Sequence, residues 1–171
     1  MTRAILCFLF FLSMLFTLDV PAATNSTKSW TSETKAILKE YSYACRNSDV
    51  VVDEIVSDSH IAGRVIGLPQ ESYEKFKVIF YVKTNRWYVH PYFQPENPEE
   101  GSAYAKIRED GSFRIKTVKR NVNASRLAVS VVPEPYVISS QRRWLRPFLG
   151  LFGGVFKYSC RGVVVPLNGE L

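Results

Sequence analysis

The sequence predicts a mainly β protein, an antiparallel β-sandwich of about seven or eight strands with one N-terminal helix. Three observations point there. From Val50 onward, short runs rich in Val, Ile, Phe and Tyr show the period-two alternation of strands. Turn signals separate these runs roughly every eight to twelve residues, a spacing that suits a sandwich better than a parallel α/β fold. Only one stretch, Ser32–Ala44, carries convincing helical periodicity.

The first residues stand outside this fold. Met1–Arg3 is a short basic tip, Ala4–Leu18 is almost wholly apolar, and Val20 and Ala22 stand at the specificity positions for cleavage after Ala22. Residues 1–22 are therefore expected to be a signal peptide, with a retained N-terminal anchor as the alternative. The apolar run falls short of the roughly 20 residues of a membrane span. Cys7 lies too early to be a lipid-attachment cysteine. The remainder, about 150 residues, suits one domain over 32–171 after a flexible segment at 23–31. The expected destination is export: secreted, periplasmic or at the cell surface.

The net charge is +6. Loss of the leader leaves it unchanged, because Arg3 and Asp19 leave together. A basic balance favours anionic partners such as phospholipid or acidic polysaccharide, and export disfavours nucleic acid; the alternative is that the charge only maintains solubility. Cys45 and Cys160 remain after cleavage, and an oxidising compartment would join them in one disulfide, with two free thiols as the alternative. His60 and His90 lack the spacing of zinc ligands, so no metal and no other cofactor is expected.

Each element has a local reason. In Ser32–Ala44, Thr31 or Ser32 can cap, Glu33 suits the positive helix end, and Ile37, Leu38 and Tyr41 form one apolar face leading to Cys45. Residues 50–56 (VVVDEIV) are β-branched, and Asp58-Ser59 turns the chain. Ile61–Leu68 is a short strand with Gly63 and Gly67 at a bulge or bend. In Phe76–Thr84, Val78, Phe80 and Val82 share a core face, whereas Lys77, Ile79, Tyr81 and Lys83 share a face expected to be partly wet. Asn85-Arg86 turns into Arg86–Phe93, where Trp87 and Val89 oppose Tyr88 and His90, and Pro91 limits the strand to an edge or an end. Gln94–Gly101 is an acidic surface loop. Tyr104–Ile107 and Ser112–Val118 flank the Glu109-Asp110-Gly111 turn. Arg126–Val132 is a strand closed by Pro133, and Lys157–Val165 is the last strand. Residues 141–156 (QRRWLRPFLGLFGGVF) are basic and then apolar, with Gly150, Gly153 and Gly154 breaking any long helix.

Four pieces together resemble a known family. They are Ile61–Pro69 (IAGRVIGLP), Lys77–Pro91 (KVIFYVKTNRWYVHP), Tyr104–Ile107 with Asp110–Phe113 (YAKI, DGSF), and Ala128–Pro133 (AVSVVP). They are similar to a small immunoglobulin-like β-sandwich domain of secreted and surface proteins, often accessory to glycan-active enzymes. The match spans about residues 61–133, roughly half of the chain after the leader. It implies an extracellular, non-catalytic sandwich with sugar binding as its role. This chain departs from the family in its N-terminal helix, in the stretch after Ser140 and in lacking a catalytic partner module.

The residues offer little for catalysis. Neither histidine stands in a recognisable nucleophile–base pattern, and Glu96, Glu99 and Glu100 share one loop rather than facing each other across a cleft. The chain is not expected to be an enzyme. The ligand-binding candidates are Arg86, Tyr88, His90, Tyr92 and Phe93, since flat aromatic rings suit the apolar faces of sugars and polar neighbours suit their hydroxyls. Asn85 and Tyr104 are further candidates, and Trp87 reads as either a sugar platform or a buried sandwich tryptophan. The expected partner is a glycan or envelope component. Alternatively, Arg142, Arg143, Trp144 and Arg146, at the start of a 142–156 surface, would dock on a protein or an anionic membrane. In the other reading of that stretch, its apolar residues pack beneath the disulfide.

Overall fold

The computed structural model describes residues 26–91, 104–136, 159–169 and 171, with side chains from Ser32 onward. The described chain is mainly β, with eight strands in two antiparallel sheets and two N-terminal helices. β1 (Asp49–Val56) and β2 (His60–Ile66) form a hairpin, and β6 (Ser112–Lys116) pairs with β2 to complete a three-stranded sheet. The second sheet runs β4 (Trp87–Val89), β3 (Phe76–Lys83), β7 (Arg126–Pro133), β8 (Gly162–Pro166). β5 (Tyr104–Lys106) pairs with the Lys77–Ile79 end of β3, and β4 pairs with the Tyr81–Lys83 end.

The β-branched alternation builds the core between the sheets. Val78, Phe80 and Val82 meet Leu127, Val129 and Val131 from the same sheet and Ile61, Val65, Phe113 and Ile115 from the other. Phe80 and Phe113 meet edge to face, with ring centroids 5.7 Å apart. Each such side chain contributes about 1.5–3 kcal/mol by leaving water. Gly63 of β2 lets the β1 backbone and the Phe113 ring of β6 close in on either side of it, since a Cβ there would stand 2.2 Å from the Val51 carbonyl oxygen and 2.6 Å from the Phe113 ring. Gly111, at φ +80°, makes the tight turn expected before β6.

Three expectations change. First, the outward face of β3 is not wet: Ile79 and Tyr81 are fully buried. They form a second apolar cluster with Trp87, Val89, Ala128, Val132 and Tyr136, and half-buried Tyr104 and Val164 pack against it. The lysines at the ends of β3 suggested solvent, but they flank this cluster rather than interrupt it. Burial accordingly pushes the Tyr81 hydroxyl pKa up. Second, helix begins at Ser26 rather than Ser32, and it breaks at Tyr41 into α1 (Ser26–Glu40) and α2 (Ser42–Asn47). No Pro or Gly in 26–31 stops the longer helix. At the break, Tyr41 sets its ring edge-on to Phe76 at 5.8 Å. Third, the strand expected over 86–93 is regular only at Trp87–Val89, and Cys160 precedes β8 instead of lying within it.

Cys45 of α2 and Cys160 are joined as a disulfide across 115 residues of sequence, so the helical segment is fastened to the second sheet. Both cysteines are buried in the main core. Among the described residues, no helix is long and apolar enough to cross a membrane.

Candidate functional site

Three connections meet at one end of the sandwich. The β1–β2 tip, the β3–β4 tip and the β6–β7 loop are tied there by backbone bonds. Thr117 N–H donates to the Ser59 carbonyl at 2.9 Å, and Ser125 N–H donates to the Lys83 carbonyl at 2.7 Å. The Asp58 carboxylate, on the only non-glycine residue at positive φ among those described (57°), accepts from the Lys119 N–H. Both histidines of the chain lie at this end.

At the β3–β4 tip, Asn85 and Arg86 are exposed and Tyr88 is half-buried. Asn85 Oδ1 accepts from the Tyr88 hydroxyl at 3.1 Å and from Thr84 Oγ1 at 3.1 Å. The Asn85 carbonyl accepts from Lys83 Nζ at 2.7 Å. Arg120, from the β6–β7 loop, stands over the Tyr88 ring at 6.0 Å. The tip thus gathers an amide, a guanidinium and a phenol whose hydroxyl is already oriented.

His90 is not part of the exposed surface, which corrects its assignment as a ligand contact. Its N–H donates to the Phe80 carbonyl, so it continues the inward-facing row of Tyr88, and its side chain is fully buried. Arg120 Nε, which can only donate, points at His90 Nδ1 at 3.3 Å. Nδ1 is therefore the acceptor, and Nε2–H donates to Thr117 Oγ1. Arg120 also donates to the Val89 carbonyl. Burial, and then the charge of Arg120, push the His90 pKa down to about 3, so the ring is a neutral structural element at physiological pH.

His60 opens β2 on the outward face of the three-stranded sheet. Its Nε2 lies 2.8 Å from Glu54 Oε2, and its Nδ1 lies 2.9 Å from Ser59 Oγ. Acid, imidazole and hydroxyl in a row have the connectivity of a hydrolytic relay. Arg114, however, places a guanidinium nitrogen 3.0 Å from the same Nδ1. That cation occupies the lone pair a general base would need, and the imidazole is held between Glu54 and Arg114 as a link between strands. Sequence reasoning missed this cluster because β1–β2 pairing, not spacing, brings Glu54 beside His60.

Trp87 and Val89 do share a face, but it is the outward one, in the second apolar cluster. Trp87 is only 8 % exposed, too little to serve as a sugar platform. Tyr104 is half-buried beneath Lys77, whose Nζ lies 4.3 Å from the ring centroid. Of the sequence-predicted residues, the fold brings Arg86 and Tyr88 to one exposed tip and separates His90 from them by burial. Tyr92, Phe93, Arg142, Arg143, Trp144 and Arg146 lie outside the described residues. Arg120 and Thr117 were missed, since a polar connection gives no sign of which strand end it will fold over. Among the described residues, no cluster of His, Cys, Asp and Glu could hold a metal ion. Comparisons of the chain with family models, with curated proteins and with solved structures give no match.

Proposed function

We propose that this chain is an exported, non-catalytic binding module of immunoglobulin-like architecture that recognises a glycan at the β3–β4 tip. The observation that carries the reading is the bond from the Tyr88 hydroxyl to exposed Asn85, with the Arg120 guanidinium over the Tyr88 ring and exposed Arg86 on the same tip. Amide and guanidinium donors next to a phenol suit sugar hydroxyls, and the tip is braced by the bonds from Lys83 and Ser125. Export is supported by the leader-like first residues together with the Cys45–Cys160 bond, which an oxidising compartment would maintain.

The architecture is supported by strand order. Chain-order strands assigned as A, B, C, C′, E, F and G, with the short β5 left aside, give sheets A-B-E and C′-C-F-G. This order supports the immunoglobulin reading, with an edge strand like that of the variable type and without a strand D. Binding to a panel of immobilised polysaccharides tests the function. Retention that Tyr88→Ala and Arg86→Ala each weaken is expected; undiminished retention in both variants would move the site elsewhere.

A further inference from the structure

We infer that the glycan recognised at this end of the sandwich is an acidic polysaccharide, an inference that rests on the glycan-binding reading above. Lys83, Arg86, Lys116, Lys119, Arg120 and Arg126 all lie at this end, and the side-chain acids found with them among the described residues are Asp58 and Glu54, the latter beside His60. The opposite end mixes Glu71, Glu74, Glu109 and Asp110 with Lys75 and Arg108.

The decisive detail is the β3–β7 register. Lys83 stands directly opposite Arg126 on the same sheet face. Like charges in that position repel and weaken strand pairing. The other like-charged pair on β3, Lys77 opposite Lys106, has Glu134 3.7 Å from Lys77 Nζ, whereas Lys83 and Arg126 have no such carboxylate among the described residues. Among the described residues, Lys116, Lys119 and Arg126 have no carboxylate partner. Arg120 also serves the fold by holding His90 and the Val89 carbonyl; the charges of Lys116, Lys119 and Arg126 are ones a bound polyanion would offset.

The cations are spread over β3, β6, β7 and the β6–β7 loop, so they trace a path along both sheets rather than a pocket. That shape fits a polymer bearing carboxylates or sulfates rather than a single small anion. Polar Asn85, Asn121 and Asn123 intervene, as suits hydroxylated sugars. Among the described residues, the large exposed apolar side chains here are the isolated Val56 and Val122, far short of the apolar face that a membrane-surface site requires.

The test compares the disulfide-bonded protein on polygalacturonate and on neutral dextran, at low and high salt. Polygalacturonate should be preferred, with affinity falling steeply as salt rises. The Arg126→Gln variant, which leaves the Lys83 bond to the Asn85 carbonyl in place, should bind it about tenfold more weakly. Its melting temperature without ligand should equal or exceed that of the wild type, because a repulsion has been removed. Equal binding of dextran and polygalacturonate would overturn the acidic preference and leave the glycan reading standing. Binding of neither would overturn both. Tighter binding to anionic vesicles or to nucleic acid than to polygalacturonate would overturn the polysaccharide assignment. A lower melting temperature in this variant would show that the Arg126 charge is structural and would likewise count against the inference.

Discussion

The two sheets turn very different outer faces away from their shared core. The three-stranded sheet presents Arg64, Glu54, Arg114, Lys116 and half-exposed Ile66, a charged and hydrated surface. The five-stranded sheet presents Ile79, Tyr81, Ala128 and Val132, each fully buried. Its central strands β3 and β7 are thus buried and apolar on both faces, unlike those of a sheet with one hydrated side. A sandwich with one wet face and one closed face has few exposed places for a ligand. Its open ends are among them, and one of those ends carries the concentrated positive charge.

The sharpest way to break this contrast is to make the same substitution on both faces. Ile79→Ala should destabilise by about 2–5 kcal/mol, since it empties a closed cluster. Ile66→Ala, 50 % exposed on the other sheet, should cost about 0.5 kcal/mol or less. Urea unfolding of the two variants decides it, and equal costs would mean that the second cluster is not a core. Next in size is the disulfide. Cys45→Ser with Cys160→Ser should cost about 2–5 kcal/mol. Alkylation of the unreduced wild type should find neither thiol reactive.

Between the two faces, His90 should make stability pH-dependent. Unfolded, it takes up a proton near pH 6.5; folded, only near about pH 3. The unfolded state therefore binds more protons between these values. Stability present above pH 6.5 is lost as pH falls, at about 1.4 kcal/mol per unit, until the folded ring also protonates. From pH 7 to pH 5 the wild type should lose about 2 kcal/mol more than His90→Gln, which keeps a donor and an acceptor but does not titrate. An identical loss in both proteins would contradict the buried assignment. The smallest effect belongs to the charged face. There Arg64 lowers the Asp53 pKa by hydrogen bonding, but the pair is exposed. Arg64→Ala should leave the urea midpoint nearly unchanged.

These differences also show what could be read from residues alone. The β-branched runs, the turn at Asp110-Gly111 and the Val78, Phe80, Val82 row were legible because period-two alternation is local. The disulfide was legible because few cysteines leave few choices. The closed outer face was not, since lysines at both ends of β3 look like solvent exposure whichever way Ile79 and Tyr81 are covered. His90 was assigned to the wrong environment for a related reason. Alternation correctly separated Tyr88 and His90 from Trp87 and Val89, but alternation cannot say which side faces the other sheet. The opposition of Lys83 and Arg126 is a matter of β3–β7 register, and 42 positions of intervening chain hide it.

The most direct measurement of the binding claim is a residue-resolved amide chemical-shift titration of the disulfide-bonded protein with a soluble acidic oligosaccharide from polygalacturonate. The account predicts shifts concentrated at Lys83–Tyr88, Lys116–Arg120 and Arg126, with the Glu71–Lys75 and Arg108–Gly111 end unmoved. Shifts centred on that opposite end, or none at saturating ligand, would contradict it.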